Sequence, residues 1–317
     1  MGKMVVIAIG GNAILQPDES GSVEEQLENI RITCGHIANM VQEGYDVVIT
    51  HGNGPQVGNI LLRNEIAEGI APVMPMDVCV AESQGQIGYM IQQSLINELE
   101  KLGIEAKAIS LITQVVVDAE DEAFENPTKP IGPYYPEGEA ERLAKEKGWT
   151  LMEDRVRQGY RRVVPSPEPQ KILESETIER LLKGDEGKEV VIAAGGGGVP
   201  VVKTEHGYAG VEAVVDKDLA SQVLATSIKA DLMIMLTDVD FVAIDFGKPK
   251  QRELSKMSVA EAKAFLSQGH FPPGSMGPKI ISAIRFLEKG GEEVIITTPE
   301  NLKKALDGEK GTKIILG

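Results

Sequence analysis

The sequence predicts an α/β fold, a largely parallel sheet with helices packed on both faces. Three observations carry that prediction. Short apolar runs rich in Val and Ile alternate with stretches whose apolar residues recur at steps of three and four. Most of those runs are continuous rather than alternating, as expected for strands buried on both sides. Loops with glycine or paired acidic residues follow several of them directly, and an open parallel sheet binds its ligands outside the carboxyl ends of its strands.

The elements follow in order. "VVIAIGGNAIL" (5–15) is a strand that stops at Gly10-Gly11-Asn12. Val23, Leu27, Ile30, Cys34, Ile37 and Val41 then form the stripe of an amphipathic helix ending at Gly44. "YDVVIT" is a second strand, followed by the loop "HGNGPQVG" (51–58), a helix to about Gly69, and a longer helical stretch from Met76 to Leu102. "AKAISL", "TQVVVD" and "EVVIAAGGGGVPVV" (189–202) supply further strands. A helix from about Lys217 to Lys229, the strand "DLMIMLTDVD" (231–240), a helix from about Pro278 to Lys289, the strand "EEVIITT" and "KIILG" complete the chain.

One segment departs from this rhythm. From about Asp118 to Pro169 the chain is rich in proline and charge, yet it holds the only tryptophan and half of the six tyrosines. That apolar content is too high for a linker, so 118–169 is expected to be a folded excursion, a lid between two halves of the sheet. The whole, 1–317, is expected to form a single α/β domain with this lid inserted.

Composition restricts the function. With 42% hydrophobic and 25% charged residues the chain can bury a core. A net charge of −16 and an aromatic share of 4% disfavour nucleic acid, which needs cations for phosphates and rings for bases. No run approaches the ~20 apolar residues of a membrane span, and the amino terminus lacks a signal-peptide layout. Two isolated cysteines, Cys34 and Cys79, fit buried thiols in a reducing cytoplasm. The expected partner is therefore small.

Named nucleotide fingerprints are absent: neither GxGxxG nor GxxxxGK[ST] occurs. "GGN" alone is either a turn or a phosphate cradle. The run Gly195-Gly196-Gly197-Gly198 costs more, because each glycine loses roughly 0.5–1 kcal/mol of chain entropy relative to alanine on ordering. Bare amides there, at Gly196 and Gly197, could converge on an anion. Gly52, Asn53 and Gly54 offer the same before Pro55 opens a helix. His51 is ambiguous and receives no proton-transfer role.

Two lysines stand out. In "VVDKDLAS", Asp216 and Asp218 suit a helix start as caps, but Lys217 opposes the macrodipole unless an anion sits there. Lys279 repeats the anomaly where Gly277 and Pro278 open another helix. Together they fit a polyphosphate clamp, the main requirement of phosphoryl transfer. Asp238, in "LTDVDFV", could face a ribose or a lysine.

"IAIGGNA", "HGNGPQVG", "NPTKPIGP", "RRVVPSPEP", "AAGGGGVPVV", "VVDKDLAS", "LTDVDFV" and "FPPGSMGPK", in this order over residues 5–297, resemble the carbamate kinases of the amino acid kinase superfamily. The resemblance implies an open αβα sandwich with a protruding subdomain, a homodimer, and Mg²⁺-dependent transfer between ATP/ADP and carbamate/carbamoyl phosphate in arginine breakdown. It implies that Lys217 and Lys279 bind the transferred phosphoryl, that Asp218 organises them, and that Lys129 of "TKPIG" reaches over the acceptor pocket. Gly10, Gly11, Asn12, Gly52, Asn53 and Gly54 would surround carbamate and the γ-phosphate; Asp216, Asp238, Val239 and Met276 would line the nucleotide site, with no dedicated metal-binding residues. The wider superfamily places a lysine two residues before the glycine pair. This chain has Ala8 there, and Lys129 is expected to supply the charge. Other kinases of the superfamily, or a non-catalytic nucleotide sensor on the same fold, are the alternatives.

Overall fold

The computed structural model describes residues 2–16, 19–154, 159–184 and 188–317. Its central sheet has eight strands among those residues, in the order Lys256–Ser258, Thr312–Ile315, Glu293–Thr297, Leu232–Leu236, Met4–Ile9, Asp46–His51, Lys188–Ile192, Ala106–Ser110. Neighbours run parallel except where Glu293–Thr297 meets Thr312–Ile315.

The first strand shows why the apolar runs are continuous. Val5, Ile7 and Ile9 point to one face and pack with Ile30, Cys34 and Ile37 of the helix Val23–Gln42 and with Ile87, Ile91 and Leu95 of the helix Met76–Lys101. Val6 and Ala8 point to the other face, toward Ala220 and Leu224 of the helix Lys217–Ser227 and Ile280 and Ala283 of the helix Met276–Glu288. Every residue of Met4–Ile9 is buried, so a period of two leaves no polar face to display.

Helix boundaries follow local chemistry. Ser22 accepts the amide of Glu25 while the Glu25 side chain returns to the Ser22 amide, a capping box. The helix expected from Gly277-Pro278 begins slightly earlier, at Met276, which puts Lys279 at its fourth residue. Proline fits anywhere in a first turn, where its missing amide leaves no helical bond unmade.

Within 118–169 a three-stranded antiparallel sheet, Lys129–Tyr135, Gly159–Val164 and Leu151–Asp154, carries the helix Glu137–Lys147. Trp149 packs against the cations of Lys147 and Arg162 and against Tyr135. Residues 155–158 of the excursion lie outside the described residues. No helix among the described residues is long and apolar enough to cross a membrane.

Candidate active site

The strands Leu232–Leu236, Met4–Ile9, Asp46–His51 and Lys188–Ile192 are consecutive in the sheet, so their carboxyl ends bring four loops side by side. Those loops begin at Thr237, Gly10, Gly52 and Ala193. Gly10 needs its bareness for packing: a Cβ there would sit 2.7 Å from the Leu236 carbonyl oxygen. Gly11 opens a single 3-10 turn, Gly11–Ala13, and borders a cavity of about 320 Å³. Gly10, Lys129, Asp216, Lys217, Asp218, Asp238 and Lys279 also line that cavity. The side chain of Asn12 lies outside the described residues.

Asp216 is the N-cap of the helix that starts at Lys217, accepting the amides of Asp218 at 2.9 Å and Leu219 at 3.4 Å. Asp218 is buried between two cations. Its Oδ2 accepts Lys279 Nζ at 2.8 Å, and its Oδ1 lies 3.2 Å from Lys217 Nζ. The latter pair is close without hydrogen-bond alignment, so among the described residues Lys217 Nζ and Asp218 Oδ1 are buried atoms with no hydrogen-bond partner. An ammonium held this way invites an anion.

The electrostatics agree. Burial pushes the Lys217 ammonium down to about 8, against the pull of Asp218. Lys279 feels the same burial, but the charge and hydrogen bond of Asp218 outweigh it and hold it above the usual lysine value. For Asp218, burial alone would raise the carboxyl; Lys217 and Lys279 overcome this and hold it well below the usual carboxylate range. His51 sits at the end of its strand with Nδ1 2.9 Å from the Gly52 carbonyl oxygen, and burial lowers its pKa to about 4. The imidazole is therefore neutral at physiological pH.

The glycine loops divide into two kinds. Gly52 flanks the cluster, where a Cβ would approach the Gly11 amide nitrogen and Lys217 Cδ to 3.5 Å, while Gly54 starts the helix Gly54–Ile66, where a Cβ would have open space among the described residues. Gly196 and Gly197 are buried beneath it. Gly196, at φ +63°, lies so close to Asn53 that a Cβ would meet its amide nitrogen at 2.1 Å. Asn53 is itself buried and donates to Ser83 Oγ at 2.8 Å. The four-glycine turn thus has a packing reason: it supports the loop that carries Asn53.

A second cavity, of about 240 Å³, adjoins the first and shares Thr237, Asp238, Ser275 and Lys279 with it. Val239 and Met276, expected at a nucleotide site, line it together with Phe241, Phe246 and Phe271, which sequence reasoning missed. Half of the chain's six phenylalanines border this space. Low overall aromatic content had concealed their concentration. A small apolar slot opening onto a buried lysine pair suits a molecule with a flat ring at one end and phosphates at the other.

A family model described as the amino acid kinase family matches residues 3–298. The chain belongs to that family. Carbamate kinase of Pyrococcus furiosus is 51% identical to this amino acid kinase over 317 residues, 99% of this chain and 100% of that one. Carbamate kinase of Thermococcus kodakarensis is 52% identical over 316 residues, 99% of each. Among solved structures, carbamate kinase from Giardia lamblia bound to AMP-PNP superposes with a TM-score of 0.91 at 43% identity, covering 99% of this chain and 98% of that one. The expected open α/β sandwich with a mostly parallel sheet matches the architecture of that structure.

Proposed function

We propose that this amino acid kinase is a carbamate kinase, catalysing ADP + carbamoyl phosphate ⇌ ATP + carbamate, with the carbamate then decomposing to ammonia and carbon dioxide. The observation that carries the reading is the buried pair Lys217 and Lys279 on one carboxylate, at the junction of an aromatic cavity and a glycine-lined one. Full-length relatives near 50% identity bear that name.

The chemistry follows from the parts. The base of the nucleotide enters the Phe241, Phe246 and Phe271 cavity, and its phosphates point toward Lys279. Lys217 and Lys279 neutralise the transferring phosphoryl group, while Asp218 keeps both ammoniums aimed at it. Lys129 and the Gly10, Gly11 and Gly52 loops hold the carbamoyl end. The acceptor is an oxyanion in either direction, so catalysis requires position and charge rather than a base.

Mg²⁺ would shield the phosphate charge as the two substrates approach. Among the described residues no three His, Cys, Asp or Glu side chains gather as a metal site. The ion would therefore be carried by phosphate oxygens and water, with Asp238, which borders both cavities, the acidic group positioned to join. We extend the reading, on the sequence resemblance, to a cytoplasmic homodimer acting in arginine breakdown and to 118–169 as a lid over the acceptor.

Purified protein mixed with Mg²⁺, ADP and carbamoyl phosphate should form ATP, and acetyl phosphate or acetylglutamyl phosphate should substitute poorly. ATP formed from one of those donors and not from carbamoyl phosphate would replace carbamate with another carboxylate acceptor.

A further inference from the structure

We propose that Asp216 is a positioning residue for the acceptor half of the reaction: it docks Lys129 of the protruding subdomain onto the start of the Lys217 helix, assembling the acceptor pocket before substrate arrives. The proposal deepens the carbamate kinase reading and rests on it for the identity of the acceptor.

The two oxygens of Asp216 do different work. Oδ1 takes the helix-start amides of Asp218 and Leu219, so the carboxylate is fixed to the same turn that carries Lys217. Oδ2 accepts Lys129 Nζ at 2.6 Å, joining residues 87 apart in sequence. One carboxylate therefore sets the distance between the subdomain lysine and the phosphoryl clamp.

A second device fixes the middle of the same strand. The strand Lys129–Tyr135 lies directly on the helix Gly54–Ile66 at Gly132 and Gly58, where a Cβ on Gly58 would fall 2.1 Å from Gly132 Cα. Arg161 Nε donates to the Gly132 carbonyl at 3.0 Å. Lys129 thus extends from a strand seated by backbone contact, and Asp216 determines where its ammonium rests.

The alternative, that Asp216 contacts nucleotide, fits less well. Asp216 borders the lysine cavity but not the aromatic one, and both of its oxygens are already engaged by donors. The ion pair is only partly buried, with side chains 29% and 13% exposed, so it adds little to stability. Its effect is geometric, and it is loose enough for Lys129 to transfer a hydrogen bond to an arriving substrate oxygen.

Asp216→Asn separates the two jobs. Asparagine caps a helix about as well as aspartate, but it brings no charge to Lys129. In the intact enzyme, KM for carbamoyl phosphate should rise and kcat/KM should fall by about ten- to hundredfold, since small misplacement of a binding group has effects of that order. KM for ADP should stay within about twofold, and Lys129→Ala/Asp216→Asn should be no slower than Lys129→Ala alone. Amine-reactive footprinting of the free protein provides a readout independent of turnover: Lys129 should label several-fold faster in Asp216→Asn than in wild type. If wild type forms no ATP, the carbamate reading fails while footprinting still decides the docking. Unchanged Lys129 labelling, a weakened ADP interaction, or full multiplicative losses in the double variant would each overturn the proposal.

Discussion

Lys217 and Lys279 are held quite differently from Lys129, although all three border one cavity. The first two start from helices that pack on the same face of the central sheet and share the carboxylate of Asp218, buried to 3% exposure. Lys129 arrives from a separate small sheet and rests on Asp216 with its side chain 29% exposed. The buried pair is a fixed part of the fold, desolvated in advance, where charge acts strongly and little rearrangement is needed at the moment of transfer. The third lysine is an arm, accessible enough to exchange partners. On the carbamate kinase reading, the difference teaches that the phosphoryl end of the proposed site would be preset by the core, whereas the acceptor end would depend on how a second unit docks.

Breaking the preset side should have the largest effect. Lys217→Met and Lys279→Met should each lower kcat by about 10²–10³-fold, the range found when one donor to a developing oxyanion is removed. Lys217→Met should lose little thermal stability, because its buried ammonium has no hydrogen-bond partner among the described residues and Asp218 keeps Lys279 when it is removed. Near-wild-type turnover in both variants would break the clamp assignment.

Breaking the arm should be smaller and more selective. Lys129→Ala should reduce kcat/KM for carbamoyl phosphate by about 10²-fold, leaving the equilibrium affinity for ADP within about twofold. Equal losses for both substrates, measured by initial rates and calorimetric ADP binding, would move Lys129 to the nucleotide side.

Titration sharpens the contrast further. Lys217 is charged below about 8 and neutral above it, so kcat/KM should fall as pH rises through about 8. In Lys217→Arg, whose guanidinium stays charged, that limb should disappear even if the rate is lower. Persistence of the limb in the arginine variant would assign the titration to another group.

The smallest effect is expected at the rim of the proposed nucleotide cavity. Phe246 is 63% exposed, so Phe246→Ala should raise KM for ADP only about two- to tenfold, the equivalent of one aromatic contact, with kcat unchanged. No change in KM would exclude the ring from base binding.

Much of this site was legible because unusual local choices have local causes. Lys217 and Lys279 stand out against the helix dipole whatever the fold, and both prove to meet at one buried carboxylate. Gly10 and Gly11 end a strand that could be recognised by its composition. The four-glycine run was legible as an anomaly but its cause was not: packing beneath Asn53 and His51 is a contact between distant segments. The aromatic cavity was missed because Phe241, Phe246 and Phe271 carry no mutual spacing that a periodic pattern can reveal.

The sequence by itself determined the four strands whose ends form the site, the starts of the helices that carry Lys217 and Lys279, and the residue types that would face an anion, since period, capping and backbone freedom act within a few residues. Only the tertiary structure decided which strand ends lie side by side, that one aspartate serves two lysines, and that Asp216 reaches Lys129. These are relations between segments far apart in the chain. They are set by sheet order and by burial on both faces, which no local pattern encodes.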